Sequence, residues 1–409
     1  MEGWQRVEQA SHRVFRLYGF REIRTPIFEP TELFVKSTGS DTDIVTKEMY
    51  TFTDRGDRSI TLRPEGTPGV VRVALEHGLV AQGDVERLYY IGPMFRYERP
   101  QKGRYRQFAQ IGVEVFGSQH AATDADVMQM VMTLLEQLGI HDARLQINSV
   151  GHAACRAVYR AALRDALAPQ RDRLCPDCVR RLDTNPLRIL DCKVPGCAEL
   201  VAGAPSILDY LCDDCRRHMD EVKAALAALA VPYTVNPRLV RGLDYYTRTT
   251  FEVVSDHLGS QNALCGGGRY DDLMASMGGP PCPGFGFAIG EDRLVMVAAA
   301  AAAAAGKEAC PASADIYIVH LGPAALKEGL AAAAALRARG LAARLDPEAR
   351  DMKKQMSRAS SWGARYALLI GERELARGSY ALKRMADGVQ HDVPARGWDE
   401  IQRRVAHDG

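Results

Sequence analysis

Residues 95–117, FRYERPQKGRYRQFAQIGVEVFG, read as the loop and second arm of a long hairpin. Apolar-rich runs at 87–97 and 106–116 predict two strands, and the polar, basic loop ERPQKGRY joins them. Long loops inside compact domains are usually functional. Side chains alternate across a strand. One face of the second strand is then Ala109, Ile111, Val113 and Val115, an ordinary core face. The other is Phe108, Gln110, Gly112, Glu114 and Phe116. A glycine between an amide and an acid lets a ligand approach the backbone. A solvated face of an antiparallel sheet would carry the same pattern. On the first strand Arg96 and Glu98 share a face, and Arg99, Arg104 and Arg106 flank the loop. Guanidinium forks bind phosphate oxygens in pairs. Four arginines, a carboxylate and the Phe108 ring could hold a nucleotide or a nucleic-acid end.

Further out lie three more polar constellations. Arg241-Gly-Leu-Asp244-Tyr245-Tyr246-Thr-Arg248 reads as a loop or strand edge. Cys265-Gly-Gly-Gly-Arg-Tyr270-Asp-Asp is a tight backbone passage. Gly284-Phe-Gly-Phe-Ala-Ile-Gly290-Glu-Asp-Arg293 reads as a strand leading into a helix from Glu291. A cation in a helix's first turn is disfavoured by the macrodipole, so Arg293 points to a bound anion.

The chain has 409 residues, 46% hydrophobic and 25% charged. That composition excludes a disordered chain, and the length predicts about two to three domains. No run of about 18 apolar residues offers a membrane helix. The first residues, MEGWQRVEQASHRVF, contain no signal-peptide apolar core, which predicts a cytoplasmic chain with reduced thiols. Periodicity predicts helices at 4–18, 65–77 and 123–138, with short strands at 49–53 and 59–62. Residues 153–232 look like a separate, mostly helical insertion holding most of the ten cysteines. Strand signals return at 233–236, 249–254 and 263–265, and the helix from Glu291 fades into alanines by 305. A linker is expected over 306–312. Beyond it, strands at 315–320, 341–345 and 365–371 alternate with helices at 324–338 and 352–361, the pattern of a small α/β domain with a largely parallel sheet. Residues 311–409 carry 16 basic and 12 acidic side chains, a slight positive balance.

At this point the chain resembles histidyl-tRNA synthetase, a class II aminoacyl-tRNA synthetase, in its bacterial type. LRPEGT at 62–67, the 95–117 hairpin, LVRGLDYYTRTTFE at 239–252, GGGRYDDL at 266–273 and GFGFAIGEDRL at 284–294 carry the likeness. It covers nearly the whole chain, and the order and spacing of five motifs make it specific.

The resemblance implies a fold: a catalytic domain with an antiparallel sheet flanked by helices, in two parts over 1–152 and 233–305. The 153–232 insertion separates them, and residues 313–409 form an α/β anticodon-binding domain. It implies a homodimer built around the class-wide first motif, a helix then a strand ending in proline, matched at Gly19–Pro26, although Met1 starts directly in the helix, where the family usually has a short Arg-Gly…Asp…Pro segment first. It implies ATP, L-histidine and tRNA-His as partners, Mg²⁺ on the phosphates, and no membrane.

By the same resemblance Arg96 and Arg241 are catalytic at the α-phosphate. Glu98 and Phe108 hold adenine, Arg104 the outer phosphates, and Arg293 the γ-phosphate. Glu65, Thr67, Gln110, Glu114, Tyr245, Tyr246 and Tyr270 bind histidine. Arg99, Gln101 and Lys102 reach the tRNA acceptor end. A rival reading is a regulatory paralogue of the synthetase, but such proteins characteristically lose the RGLDYY arginine and the C-terminal domain. Here Arg241 and residues 313–409 are present.

The cysteines depart from many relatives. Cys175-x-x-Cys178 and Cys212-x-x-Cys215 form two knuckle-like pairs, with Cys192 and Cys197 between them. Three readings stand: a structural Zn²⁺ held by Cys175, Cys178, Cys212 and Cys215; one CxxC joined to Cys192 and Cys197; or reduced thiols without metal. Cys155, Cys265, Cys282 and Cys310 read as lone thiols, and His77, His152 and His218 lack ligand spacing.

Overall fold

The computed structural model describes residues 2–39, 42–80, 84–99, 103–192, 194–241, 243–258, 262–306, 314–348 and 351–407. The chain divides into two compact units, Met1–Lys307 and Glu308–Gly409. Apart from Gly306, the linker expected over 306–312 lies outside the described residues.

The first unit is built on an eight-stranded sheet. Toward one side lies the hairpin of Glu86–Phe95 and Gln107–Phe116, antiparallel in register from Glu86 opposite Phe116 to Phe95 opposite Gln107. Gly284–Gly290 pairs with the second arm, Ala263–Arg269 follows, and then Thr247–Val254 and Arg144–Ser149, all antiparallel. The two edge strands, Arg21–Glu22 and Tyr233–Val235, join in parallel. The glycine cluster 266–268 lies inside a strand rather than after one, because its neighbours on both sides approach too closely for side chains. A Cβ on Gly267 would fall 2.2 Å from the Gly286 carbonyl.

One face of this sheet is apolar. Ile111, Val113, Val115, Phe251, Phe285, Phe287 and Ile289 pack there against residues of the helices Glu2–Leu17, Ala121–Gln137, Asp213–Ala228 and Glu291–Ala304. Burial of this much apolar surface is the main stabilising term. The other face is the one expected to hold Gln110, Gly112 and Glu114. It is not solvated: Gln110 is 8% exposed and Glu114 0%. The helix Thr67–Glu76 and the 153–232 segment supply the apolar residues that cover it. Val70, Tyr90, Tyr246 and Tyr270 share one cluster with Tyr159, Leu163, Leu182 and Ile189. The insertion therefore packs as part of the first unit.

An internal ion network sits behind the glycine-rich strand. Arg269, fully buried, pairs with Asp124, which also meets His218 Nε2 at 2.9 Å. Arg269 Nη1 also donates to the Ser118 carbonyl at 2.8 Å.

The second unit holds a five-stranded sheet with its own core. Ala343–Leu345, Ala314–His320 and Ala364–Ile370 are parallel, as the alternating pattern predicts. Ser379–Arg384 and Gln390–Pro394 then add antiparallel, so the sheet is mixed rather than largely parallel. The connection over 385–389 is too short for a parallel crossover and permits only a hairpin.

Candidate active site

Two adjoining sub-sites lie on the small-residue face of the sheet. The first is a cavity of about 230 Å³ bordered by Arg96, Arg104, Arg241 and Arg293. Arg96 is fixed at the end of the first hairpin arm, where its Nε donates to the Pro64 carbonyl at 2.8 Å. Its guanidinium lies 5.4 Å from the Phe108 ring centre, a cation–π distance. Glu98 stands between two of the cations, 3.8 Å from Arg96 and 3.3 Å from Arg104. Arg241 enters from the opposite side and donates to Glu252 Oε1 at 2.6 Å. A Cβ on Gly266 would fall 2.1 Å from the Arg241 guanidinium, so only glycine leaves that passage open.

Burial, and then the neighbouring Arg104 cation, hold the pKa of Arg293 below the usual arginine value. Four guanidinium groups share this cavity with two carboxylates, Glu98 and Asp292. Such a surplus of cation in a recess favours a polyanion, and phosphates suit guanidinium forks. Glu98 is engaged by the arginines, while Asp292 accepts the Ala109 backbone N–H at 3.1 Å.

The second sub-site is a buried carboxylate pocket. Glu114 accepts from Thr67 Oγ1 at 2.7 Å and from the Tyr270 hydroxyl. Glu65 accepts from Thr38 Oγ1 at 2.7 Å and from the Tyr245 hydroxyl at 2.9 Å. The rings of Tyr245 and Tyr246 lie 4.9 Å apart, those of Tyr245 and Tyr270 5.7 Å. Burial raises the pKa of Glu114 to about 8, its hydrogen bonds opposing the rise and Glu65 adding to it. Burial likewise raises that of Glu65. Among the described residues the buried side-chain oxygen of Gln110 has no partner, which suits a ligand donor. Two acids, an amide and several hydroxyls gathered in one buried cluster suit a small molecule with two or more nitrogen donors.

The structure brings together Glu65, Thr67, Glu114, Tyr245 and Tyr270 by direct bonds or ring contacts, with the Tyr246 ring tilted against Tyr245. Arg96, Glu98, Arg104, Phe108, Arg241 and Arg293 border the cavity together. Arg99 is exposed, and Gln101 and Lys102 lie outside the described residues.

Sequence reasoning missed three partners. Tyr90 occupies the space above Gly66 and Gly112, where an added Cβ would come within 2.2 and 2.3 Å of its ring. The two glycines were the available signal. Glu252 pairs with Arg241, and its place opposite Gly266 follows only from the strand register. Thr38, 27 positions before Glu65, has no local signal.

The expected metal set is corrected. Cys175 and Cys178 do not gather with Cys212 and Cys215. Cys175, Cys178, Cys192 and Cys197 form one group, as the second reading of the cysteines had it. Cys212 and Cys215 form another with His152 and Cys155, residues read from sequence as lacking ligand spacing and as a lone thiol. The physical reason is that each CxxC opens its own helix, Pro176–Thr184 or Asp213–Ala228, and closes on the residues nearest that helix start.

Comparison with known proteins bears on these sub-sites. The sequence model of the family described as Histidyl-tRNA synthetase matches residues 2–294, and that described as Anticodon binding domain matches 315–399. A curated Histidine--tRNA ligase of Trichlorobacter lovleyi is 51% identical, the match covering 95% of this chain and 91% of that protein. One of Syntrophotalea carbinolica is 48% identical over 98% and 94%. The crystal structure of apo Staphylococcus aureus histidyl-tRNA synthetase superposes with a TM-score of 0.75 at 37% identity, covering 99% and 95% of the two chains.

Proposed function

The chain belongs to the histidyl-tRNA synthetase family and is a histidine--tRNA ligase, and from that premise we propose how its residues divide the reaction. The observation that carries the proposal is the adjacency of a four-arginine cavity and a buried two-carboxylate pocket, joined by one sheet face.

ATP occupies the arginine cavity. Phe108 and Glu98 hold the adenine end, Arg104 the outer phosphates, and Arg293 the γ-phosphate. Histidine occupies the carboxylate pocket. Glu65, Thr67 and Gln110 take its α-amino group, and Glu114, Tyr246 and the neighbouring Tyr245 and Tyr270 face its imidazole. The histidine carboxylate attacks the α-phosphorus, giving histidyl-adenylate and pyrophosphate. A carboxylate is already nucleophilic, so this step needs no side-chain base. Arg96 and Arg241 stabilise the charge that builds on the α-phosphate. The 3′-terminal ribose hydroxyl of tRNA-His then takes the histidyl group and AMP leaves.

Mg²⁺ would neutralise phosphate charge. It takes oxygen ligands and is held largely by substrate phosphates, so Asp292, the cavity carboxylate not assigned to adenine, is a compatible donor. Arg99, Gln101 and Lys102 meet the acceptor end, and the 313–409 unit meets the anticodon. Two chains pair around the segment 19–26.

Amino-acid-dependent ATP–pyrophosphate exchange, run with each of the twenty amino acids, tests the reading. Exchange is expected with histidine alone, because a pocket of buried polar partners rejects apolar analogues by large factors. Comparable exchange with any second amino acid would overturn the assignment of the carboxylate pocket.

A further inference from the structure

We propose that this chain carries two structural zinc sites, one of four cysteines and one of three cysteines and a histidine, that fix the 153–232 segment internally and to the catalytic sheet. The first group is Cys175, Cys178, Cys192 and Cys197; the second is His152, Cys155, Cys212 and Cys215. In each, four soft donor atoms lie within 4.8 Å of one another. Zn–S bonds of about 2.3 Å in a tetrahedron put sulfurs about 3.8 Å apart. Cys175 Sγ and Cys192 Sγ are 3.9 Å apart, and Cys212 Sγ and His152 Nε2 4.0 Å. A disulfide needs about 2.05 Å, and these cysteines are all free thiols.

The surroundings repeat between the two groups. Each CxxC begins a helix of nine residues or more, Pro176–Thr184 and Asp213–Ala228, and its second cysteine is fully buried. In each group the backbone N–H of the first CxxC cysteine donates to a sulfur of the other half, Cys175 to Cys197 at 3.2 Å and Cys212 to Cys155 at 3.3 Å. Backbone donors to ligand sulfur are the usual outer support of a thiolate metal site. Gly151 leaves the second group its space, since a Cβ there would fall 2.6 Å from Cys155 Cβ. Tetrahedral sets of four sulfurs, or of three sulfurs and an imidazole nitrogen, select Zn²⁺ among common ions.

The second site has a mechanical role. It ties the start of one insertion helix, at 153–155, to the start of the last, at 212–215. Beside it Arg156 donates to the Tyr246 carbonyl at 2.7 Å, and Arg248 N–H to the Gly151 carbonyl at 2.8 Å. The zinc site therefore braces the loop that carries Tyr245 and Tyr246. The first site braces the turn whose Asn185 contacts Asp244 at 3.4 Å.

The test is elemental analysis of the full-length chain, expressed with zinc and purified without chelator. Two zinc ions per chain are expected. Cys192→Ser and Cys215→Ser should each remove one, and the double variant both. Cobalt substitution of the wild type should give sulfur-to-cobalt charge-transfer bands at two equivalents, reduced by half in either single variant. Less than about 0.2 zinc per chain with all thiols titrating freely would overturn the proposal. So would one zinc per chain lost in both single variants, or iron in place of zinc. The wild-type stoichiometry decides the matter even if a variant fails to fold.

Discussion

At the residue scale, Glu114 is the carboxylate proposed to meet the histidine imidazole. Its pKa of about 8, raised by burial, keeps it protonated at neutral pH in the free chain. A neutral imidazole, with a pKa of about 6.5, then brings one acceptor to meet that one proton. Below about 6.5 the ligand is protonated too, and binding must expel a proton. The KM for histidine should therefore rise about tenfold per pH unit below about 6.5, measured by pyrophosphate exchange; a flat profile down to pH 5.5 would contradict this. Stability gives an independent check. A carboxyl raised from 4.5 to about 8 favours the folded state at low pH, and that advantage is lost as pH rises across the window. Glu114→Gln removes the loss, so its stability relative to wild type should improve from pH 5 to 8 by roughly 1.4 kcal/mol per pH unit at most, while histidine affinity falls. Denaturant melts at several pH values measure the slope. Glu114 was legible in the sequence because alternation set it beside Gly112 and Gln110. Tyr90 was not named, although the glycines that admit it were visible.

At the element scale, the glycine-rich strand Ala263–Arg269 does two jobs. Its glycines admit Arg241 to one face, and its terminal Arg269 anchors the strand behind the site by pairing with Asp124. Breaking a buried ion pair from one side costs about 3–5 kcal/mol, here toward the low end because Arg269 keeps Asp271 at 3.0 Å. Asp124→Asn should therefore lower the melting temperature by several degrees or abolish folding; a variant as stable as wild type would show the network to be dispensable. The hairpin was readable because its period of two and its polar loop are local features. The hairpin at 379–394 lies beyond the alternating pattern that suggested a parallel sheet. The 175–197 cysteine group was among the readings the sequence offered, while the group of His152, Cys155, Cys212 and Cys215 was not readable, since partners 57 to 60 residues apart are set by how the insertion closes.

At the scale of the whole molecule, each of the two units has its own buried core, Ile111, Val113 and Phe287 in the first and Ile316, Leu368 and Leu382 in the second. A unit with its own core can fold alone. A chain ending at residue 307 should keep histidine-dependent pyrophosphate exchange within a few-fold of wild type and lose most tRNA-His charging. Full charging by the truncated chain would show that the second unit is not needed to recognise tRNA. This division was legible because the strand–helix alternation after 313 differs in kind from the antiparallel pattern before it.

The most direct test of the account is single-turnover histidyl-adenylate formation by Arg241→Ala, compared with wild type at saturating histidine and ATP. Removing one preformed donor to developing charge typically costs a factor of about 10²–10³. A loss of at least that size is expected, with histidine binding and the melting temperature close to wild type. Adenylate formation within a few-fold of wild type would contradict it.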